Sequence, residues 1–305
     1  MDFFVQEVVN GVTLGAVYAL IALGYSMVYG VLKLLNFAHG DVFMIGAFIG
    51  YFVLVGFGGP ESLVLPVPIV LAVMLAAAGL GCGALGVVIE RYAYRPLRSA
   101  PRIAPLITAL GVSLFLQNSM LLLFGADVRN YDTSQFLSFR TGLHLGPLEI
   151  SLVRILVIVL AVVLMVALTV LVGRTRFGKA MRAVAFDREA AEMMGIDVDR
   201  TIARTFFVGS VLAGAAGVMV GLVFLQAWHL MGFLAGLKGF TAAVVGGIGN
   251  MPGAMLGGLL IGLAEAFSAG YISSTYQNLI VFGVLIATMV VRPNGLLGRR
   301  DLLKV

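Results

Sequence analysis

The segment from Gly173 to Lys179 has a spacing that could bind a nucleotide phosphate. Gly173 and Gly178 stand five residues apart and Lys179 follows them, which matches the G-x-x-x-x-G-K pattern of a phosphate-binding loop. The next residue is Ala180, where magnesium binding requires serine or threonine, and an apolar run rather than a strand precedes the segment. We therefore interpret the match as coincidence and expect no ATP binding by this chain.

Histidine and cysteine are too few and too scattered to build a metal or catalytic centre. The three histidines, His39, His144 and His229, are far apart and show no metal-ligand spacing. Cys82 is the single cysteine and lies in an apolar run, where the role of a small buried hydrophobic residue is expected. The apolar runs contain no set of His, Asp and Ser that predicts an intramembrane enzyme.

The composition is that of an integral membrane protein. Hydrophobic residues make up 60% of the 305 positions and charged residues 11%, against about 25% charge in a soluble domain. The mean hydropathy is +1.05. Stretches of 19 residues or more lack any Asp, Glu, Lys or Arg, and each is long enough to cross a bilayer as a helix. They are 8–32, 42–60, 62–89, 103–126, 155–173, 205–237, 239–264 and 266–291.

These stretches predict an all-α, polytopic membrane protein in which residues 1–305 form one domain. Continuous apolar runs favour helices over the alternating strands of a barrel. The 205–237 stretch can hold one span and part of another, with a break near Trp228 and His229, so we expect eight to ten spans. The 42–60 stretch is the weakest, because it ends in Gly56, Gly58, Gly59 and Pro60. Glycines recur one turn apart, as in the pairs Gly11/Gly15 and Gly258/Gly262, which indicates close helix packing.

The distribution of charge predicts an orientation. Fifteen of the 20 basic residues fall within 90–102, within 174–204 or in the tail after 291. The positive-inside rule places these segments in the cytoplasm, which also explains the net charge of +5 without nucleic-acid binding. Nine alternating spans would then put the N-terminus, with Asp2 and Glu7, outside and the C-terminus inside. The more acidic 127–149 segment also falls outside; its charged residues are Asp127, Arg129, Asp132, Arg140 and Glu149.

The 174–204 loop is the long polar segment on the predicted cytoplasmic side. Asp187 can cap a short helix over 188–194, Gly195 can end it, and Asp199 can cap the following membrane helix. Apolar residues interrupt the charges, and exposed apolar residues of this kind indicate a docking surface rather than an ordinary solvated loop. They are Phe177, Met181, Val184, Met193 and Met194.

Polar residues also lie inside the apolar runs. Lys238 and Glu265 are the only charged residues between 205 and 291; we expect a helix break near Lys238 and a rim position for Glu265, and a direct ion pair stays open. The 8–35 run would reach about 42 Å as one helix, longer than the bilayer core, so Gly24 or Gly30 is a candidate for unwinding. The residues that follow belong near the inner interface, either as a turn or as a gate. They are Asn36, His39 and Asp41.

Three long motifs resemble the inner-membrane permeases of branched-chain amino acid ABC transporters, and the match is nearer their H-type subunit. They are NGVTLGAVYALIALGYSMVYGVLKLLNFAHGD at 10–41, GLKGFTAAVVGGIGNMPGAMLGGLLIG at 236–262 and VVRPNGLLG at 290–298. The resemblance implies the helical bundle shared by vitamin and ribose importers, in a bacterial or archaeal cytoplasmic membrane. It also implies a second, related permease, two cytoplasmic ATPases that bind ATP and Mg, and an extracytoplasmic binding protein; this subunit itself would hold no cofactor.

The resemblance implies two sets of functional residues. Glu189, Ala190, Ala191 and Gly195 resemble the EAA-type coupling element of bacterial importers, although the usual trailing Ile-x-Leu-Pro is missing. The implied ATPase-coupling residues are Arg176, Phe177, Gly178, Lys179, Arg182, Glu189, Ala190, Ala191 and Gly195.

A zwitterionic cargo needs polar groups along an apolar path. The candidate translocation residues are Tyr18, Tyr25, Asn36, His39, Asp41, Lys238, Thr241, Gly246, Gly247 and Asn250.

Two other transport functions stay open. A sibling importer for urea, short amides or other amino acids would have the same sequence features. An ion-coupled secondary carrier would need paired charges in mid-membrane and usually a visible repeat; Lys238 and Glu265 are the only candidates, and no repeat is seen.

Overall fold

A computed structural model describes residues 2–58, 66–98, 100–101, 103–131, 142–145 and 148–298. The helices are α1 Asp2–Leu32, α2 His39–Gly56, α3 Val67–Ile89, α4 Ile103–Phe124, α5 Leu152–Arg174, α6 Arg176–Phe186, α7 Arg188–Met193, α8 Val198–Phe224, α9 Met231–Gly246, α10 Met251–Tyr271 and α11 Gln277–Val291. The short strands are β1 Arg129–Asn130, β2 Gly142–Leu145, β3 Leu148–Ser151 and β4 Gln226–Ala227. Some residues of the sequence analysis lie outside this description. They are Gly59, Pro60, Arg102, Asp132, Arg140 and the basic residues of the C-terminal tail from 299 onward.

Eight helices within the described residues are long and apolar enough to cross a membrane, counting α11 together with its preceding turn. The ninth apolar helix, α9, has only 16 residues. This confirms an all-α polytopic protein and the range of eight to ten spans. The 205–237 stretch divides as expected, because α8 ends at Phe224 and α9 begins at Met231.

The two ends of the bundle can be told apart by their contacts. At one end, Arg95, after the π-helical turn Glu90–Tyr94, pairs with Asp199 at the start of α8. At the other end, β1 pairs with β4 in antiparallel fashion. This is the arrangement that alternating helices produce, with the basic segments gathered at one end. Which end faces the cytoplasm stays a prediction from the positive-inside rule.

Glycines let the central helices approach until their backbones touch. A Cβ on Gly262 of α10 would collide with the backbone of Gly15 in α1, and a Cβ on Gly217 of α8 would collide with the Phe43 carbonyl in α2. A Cβ on Gly46 would lie 2.5 Å from the Cα of Gly214. In lipid, where apolar side chains gain little by leaving the solvent, this close van der Waals packing is what holds helices together.

The first long run is interrupted at Lys33, not at Gly24 or Gly30. Lys33 adopts φ +57 and ends α1, and α2 begins at His39. The His39 ring packs against Gly24. Because Gly24 is eight residues inside the end of α1, His39 lies about 12 Å into the bundle. The expectation that His39 and Asp41 lie at the inner interface was therefore wrong; α2 begins at mid-depth.

Helix α9 is short because, like α2, it begins inside the bundle. Gly232 in its first turn and Gly236 one turn later contact the backbone of Gly40, so α9 starts near the depth at which α2 starts. Lys238 lies within α9, which corrects the predicted break there. A glycine turn joins α9 to α10, with positive φ at Gly247 and Gly249.

We predict that Gly262→Val destabilises the protein strongly while Gly283→Val does not. The valine at 262 would have to separate the α1 and α10 backbones, and overpacking against backbone falls at the upper end of the usual cost, about 3 kcal/mol. A Cβ on Gly283 in α11 meets nothing within 4 Å. Melting temperature and monodispersity in mild detergent measure the difference, and equal melting temperatures for the two variants would contradict close backbone packing at Gly262.

Candidate functional site

The helix pair α6–α7 forms the first candidate site, and its caps follow from the sequence. The Thr175 hydroxyl accepts from the Gly178 N–H at 3.2 Å and starts α6. Asp187 accepts from the Ala190 N–H at 3.0 Å and starts α7, as predicted. Gly195, with φ +81, follows the last turn, so its predicted role in ending the helix is confirmed. Helix α7 ends at Met193, one residue earlier than expected.

Helix α8 is capped by a different acid from the one predicted. Asp197 accepts from the Arg200 N–H at 2.9 Å, whereas Asp199 lies in the first turn and binds Arg95 and Arg98. Arg98 also pairs with the buried Glu90. The acid at 199 therefore joins the start of α8 to the segment after α3 instead of capping a helix.

Polar contacts tie the helix pair to two membrane helices. The Arg182 guanidinium donates to the Val172 carbonyl in α5, and the backbone of Gly178 lies against the same carbonyl. Arg188 donates to the carbonyls of Val31 and Leu32 at the end of α1, at 3.4 and 3.2 Å. Burial, and then the nearby charge of Arg98, lower the pKa of the Arg188 guanidinium. These contacts link the helix pair to α1 and α5.

The exposed apolar surface of this pair differs from the predicted one. Met181 and Val184 are buried and Phe177 packs against the core, so these three do not offer a docking surface. Met193 and Met194 are each 82% exposed. Among the predicted coupling residues, Gly178 and Ala191 are buried and Phe177 and Ala190 are half-buried. The exposed ones are Arg176, Lys179, Arg182, Glu189 and Gly195.

The phosphate-loop spacing falls on a corner between two helices. Helix α5 ends at Arg174 and α6 begins at Arg176, so no strand precedes the glycines and the loop has a single residue. Within the described residues, no three His, Cys, Asp or Glu side chains come together as metal ligands.

The second candidate site is a set of buried polar groups at the start of α2. Gln117 of α4 donates from its Nε2 atom to Asp41 Oδ1 at 2.9 Å and to Ser113 Oγ at 3.1 Å. The Tyr25 and His39 rings meet edge to face with centroids 4.8 Å apart. Tyr25, His39 and Asp41 were predicted, and the structure brings them together. Sequence reasoning missed Ser113 and Gln117, although two polar residues one turn apart in an apolar run are a visible signal.

A third polar group joins α1, α9 and α10. Lys238 Nζ lies 2.6 Å from Glu265 Oε1, and the Tyr18 hydroxyl donates to Glu265 Oε2 at 2.8 Å. The ion pair left open by the sequence is therefore formed. Glu265 is 6% exposed and bonds to a residue in the middle of α1, so its expected rim position was wrong.

The remaining predicted path residues make other hydrogen bonds. The Thr241 hydroxyl donates to the Leu237 carbonyl of its own helix at 2.8 Å. Asn250 caps α10 through the Gly253 N–H at 3.3 Å. Asn36 accepts from the Tyr94 hydroxyl at 2.9 Å, a partner that sequence reasoning missed.

The turn after α9 is covered by the C-terminal segment. The backbone N–H groups of Leu296 and Leu297 donate to the carbonyls of Val245 and Gly246 at 2.9 and 3.0 Å. Gly247 lies against the backbone of Gly298. The turn with the candidate path residues Gly246 and Gly247 is packed against this segment, so two of the sequence motifs meet there.

Comparison with known proteins gives a consistent result. The family model for the branched-chain amino acid transport system permease component matches residues 7–289. The high-affinity branched-chain amino acid transport permease BraD of Pseudomonas aeruginosa is 43% identical, over 99% of this chain and 98% of the relative. The permease LivH of Escherichia coli K12 is 40% identical over the same shares. The galactose/methyl galactoside import permease MglC of Escherichia coli K12 is 25% identical over 74% of this chain and 67% of the relative. No solved structure matches.

We predict that Lys238→Met lowers stability by about 3–5 kcal/mol, because it leaves the Glu265 carboxylate buried without a cation. Adding Glu265→Leu to the same chain should recover most of that loss, because the pair is then replaced by apolar side chains. Thermal unfolding in detergent of the wild type, the single variant and the double variant measures this. A double variant that is no more stable than Lys238→Met would contradict it.

Proposed function

The chain belongs to the family of branched-chain amino acid transport permeases, and we propose that it is the membrane-spanning subunit of an ATP-driven importer. Its cargo would be branched-chain or related hydrophobic amino acids. The main support is that the chain is similar, along almost its full length, to permeases named for the branched-chain amino acid transport system. It is a transport subunit and not an enzyme.

The proposed assembly contains a second, related permease, two cytoplasmic ATPases and an extracytoplasmic substrate-binding protein. ATP and Mg would be bound by the ATPases. Residues 1–305 would form one permease domain in the lipid bilayer of a bacterial inner membrane, with the N-terminus outside and the C-terminus in the cytoplasm. No nucleic acid would take part.

The segment 174–204 is proposed as the coupling element. Exposed Met193 and Met194 would enter a cleft of the ATPase, and exposed Glu189 would contribute charge at the rim. Closure of the ATPase pair would then move α6–α7. Because Arg182 and Arg188 bind carbonyls at the ends of α5 and α1, that movement reaches the membrane helices directly. Two permeases rocking against each other would expose the cargo path alternately to either side.

An ion-coupled carrier is a weaker proposal. Its best support is the charged pair Lys238–Glu265 within the bundle. Each Glu265 oxygen already has a partner, Lys238 for one and Tyr18 for the other, so the charge of the carboxylate is compensated without a coupling ion.

The importer is tested by purifying the tagged protein from its own host in mild detergent and identifying the co-purifying proteins by mass spectrometry. We expect a soluble ATPase and a second permease. Uptake of labelled leucine should disappear when the gene is deleted and return when it is restored, whereas uptake of labelled urea should not change. If the chain purifies alone even after crosslinking, the importer proposal is wrong. If deletion abolishes uptake of urea but not of leucine, the importer carries urea and not branched-chain amino acids.

We predict that Met193→Glu combined with Met194→Glu abolishes both ATPase co-purification and leucine uptake. Two carboxylates would have to be desolvated where apolar side chains dock. Val128→Glu is the matched control, because Val128 is also an exposed apolar residue but lies beside β1 at the opposite end. Membrane insertion of both variants is checked by fractionation. Normal uptake in the methionine variant would remove the coupling role.

A further inference from the structure

Asp41 is a buried carboxylate that is only partly satisfied by the protein. Its exposure is 0%, and it lies in the first turn of α2. Oδ1 accepts a hydrogen bond from Gln117, and Ser113 also lies close enough to the carboxylate to interact with it. Oδ2 has no hydrogen-bond partner among the described residues. A buried carboxylate oxygen without a partner is costly, so this position calls for an explanation.

The carboxylate lies well inside the membrane. Its partner Gln117 is seven residues from the end of α4 at Phe124, about 10 Å along the helix, and 14 residues from the other end, about 21 Å. The neighbouring His39 packs against Gly24, about 12 Å from the end of α1. Both sets of distances place Asp41 away from the two membrane surfaces.

No described basic side chain neutralises Asp41. Lys238, the basic residue within α9, is held by Glu265 on the face of the bundle formed by α1 and α10. His39 is two residues before Asp41, but its ring packs against Gly24 and the Tyr25 ring of α1. A charge at this depth costs at least about 2.5 kcal/mol on insertion scales unless a partner compensates it.

The helix that covers Asp41 lies at the edge of the subunit. Six residues of α4 are buried, and they form the single face that turns toward α2 and the π-helical turn. The opposite face is open, with Leu114 59%, Phe115 69% and Leu122 85% exposed. Asp41 is therefore one helix away from the subunit surface, and a modest displacement of α4 would uncover it.

We propose that Asp41 receives the α-ammonium group of an amino acid cargo midway across the membrane, with Gln117 and Ser113 holding its carboxylate in place. This inference rests on the proposed function. An ammonium group supplies both the missing charge and a donor for Oδ2, and charge-assisted hydrogen bonds are the stronger kind. A neutral cargo such as urea would leave the carboxylate uncompensated, so the site selects for a cation-bearing cargo.

The test is leucine uptake by the complete importer, reconstituted in proteoliposomes with its ATPases and loaded binding protein. Asp41→Asn keeps the shape and can keep a hydrogen bond with Gln117, but removes the charge. We expect the initial rate of uptake at saturating leucine to fall at least tenfold. Assembly and ATP hydrolysis stimulated by the loaded binding protein should persist. Asp41→Glu should retain at least a third of the rate.

Thr205→Val is the matched control, because it removes a buried hydroxyl whose hydrogen bond, among the described residues, goes to the Thr201 carbonyl of its own helix. Its uptake should stay within twofold of the wild type. Asp41→Asn uptake that is also within twofold would overturn the site. If the wild type imports no amino acid at all, the proposed importer function is wrong. That outcome differs from one in which the wild type imports leucine and Asp41→Asn imports it equally well, which would reject only the role of Asp41.

A second variant decides the case in which Asp41→Asn does not assemble. Asp41→Asn combined with Gln117→Glu moves the carboxylate across the same hydrogen bond, from α2 to α4. Recovery of leucine uptake to at least a third of the wild-type rate would support a requirement for a carboxylate at this place. A double variant that assembles and hydrolyses ATP, but does not import, would overturn it.

Discussion

Close backbone contact at glycine is the constraint on which the rest of this structure depends. Helices in lipid gain little from hiding apolar side chains, so they are held by dense packing. The α1–α10 and α2–α8 crossings bring backbones together at Gly262 and Gly217, where any side chain would collide with the neighbouring helix. These contacts fix the depth and rotation of α1, α2, α8 and α10. The polar residues that those helices carry are thereby fixed as well.

Two short helices use the same packing to bring polar groups into the membrane. Helices α2 and α9 both begin inside the bundle, and the meeting of Gly40 with Gly232 and Gly236 leaves no space between their first turns. A helix that starts at mid-depth brings N–H groups without helical partners to a place without water. Irregular backbone at this depth is tolerated only where protein encloses it or a cavity receives it. The break at Lys33 therefore has a consequence far from Lys33, because it sets the depth of Asp41.

Local signals were readable in the sequence, and long-range partners were not. Charge-free runs predicted the spans, and Asp187 and Gly195 predicted the ends of α7, because capping depends on neighbouring residues. The sequence could not choose between Asp197 and Asp199 as the cap of α8, since Arg95 and Arg98 decide it from a hundred residues away. The three-residue spacing of Gly178, Met181 and Val184 does predict a buried stripe, and that signal was overlooked.

The two buried carboxylates, Asp41 and Glu265, differ in a way that depth and burial do not reveal. Both are less than 10% exposed. Glu265 has a partner for each oxygen, and one of them is a cation, so its charge is complete within the fold and joins three helices. Asp41 has one hydrogen-bonded oxygen, a neutral partner and a covering helix with only six buried residues. A saturated charge stabilises a single arrangement, whereas a half-satisfied one is stabilised further by whatever completes it. The degree of saturation, more than the presence of charge, is what separates a packing device from a binding device in this membrane bundle.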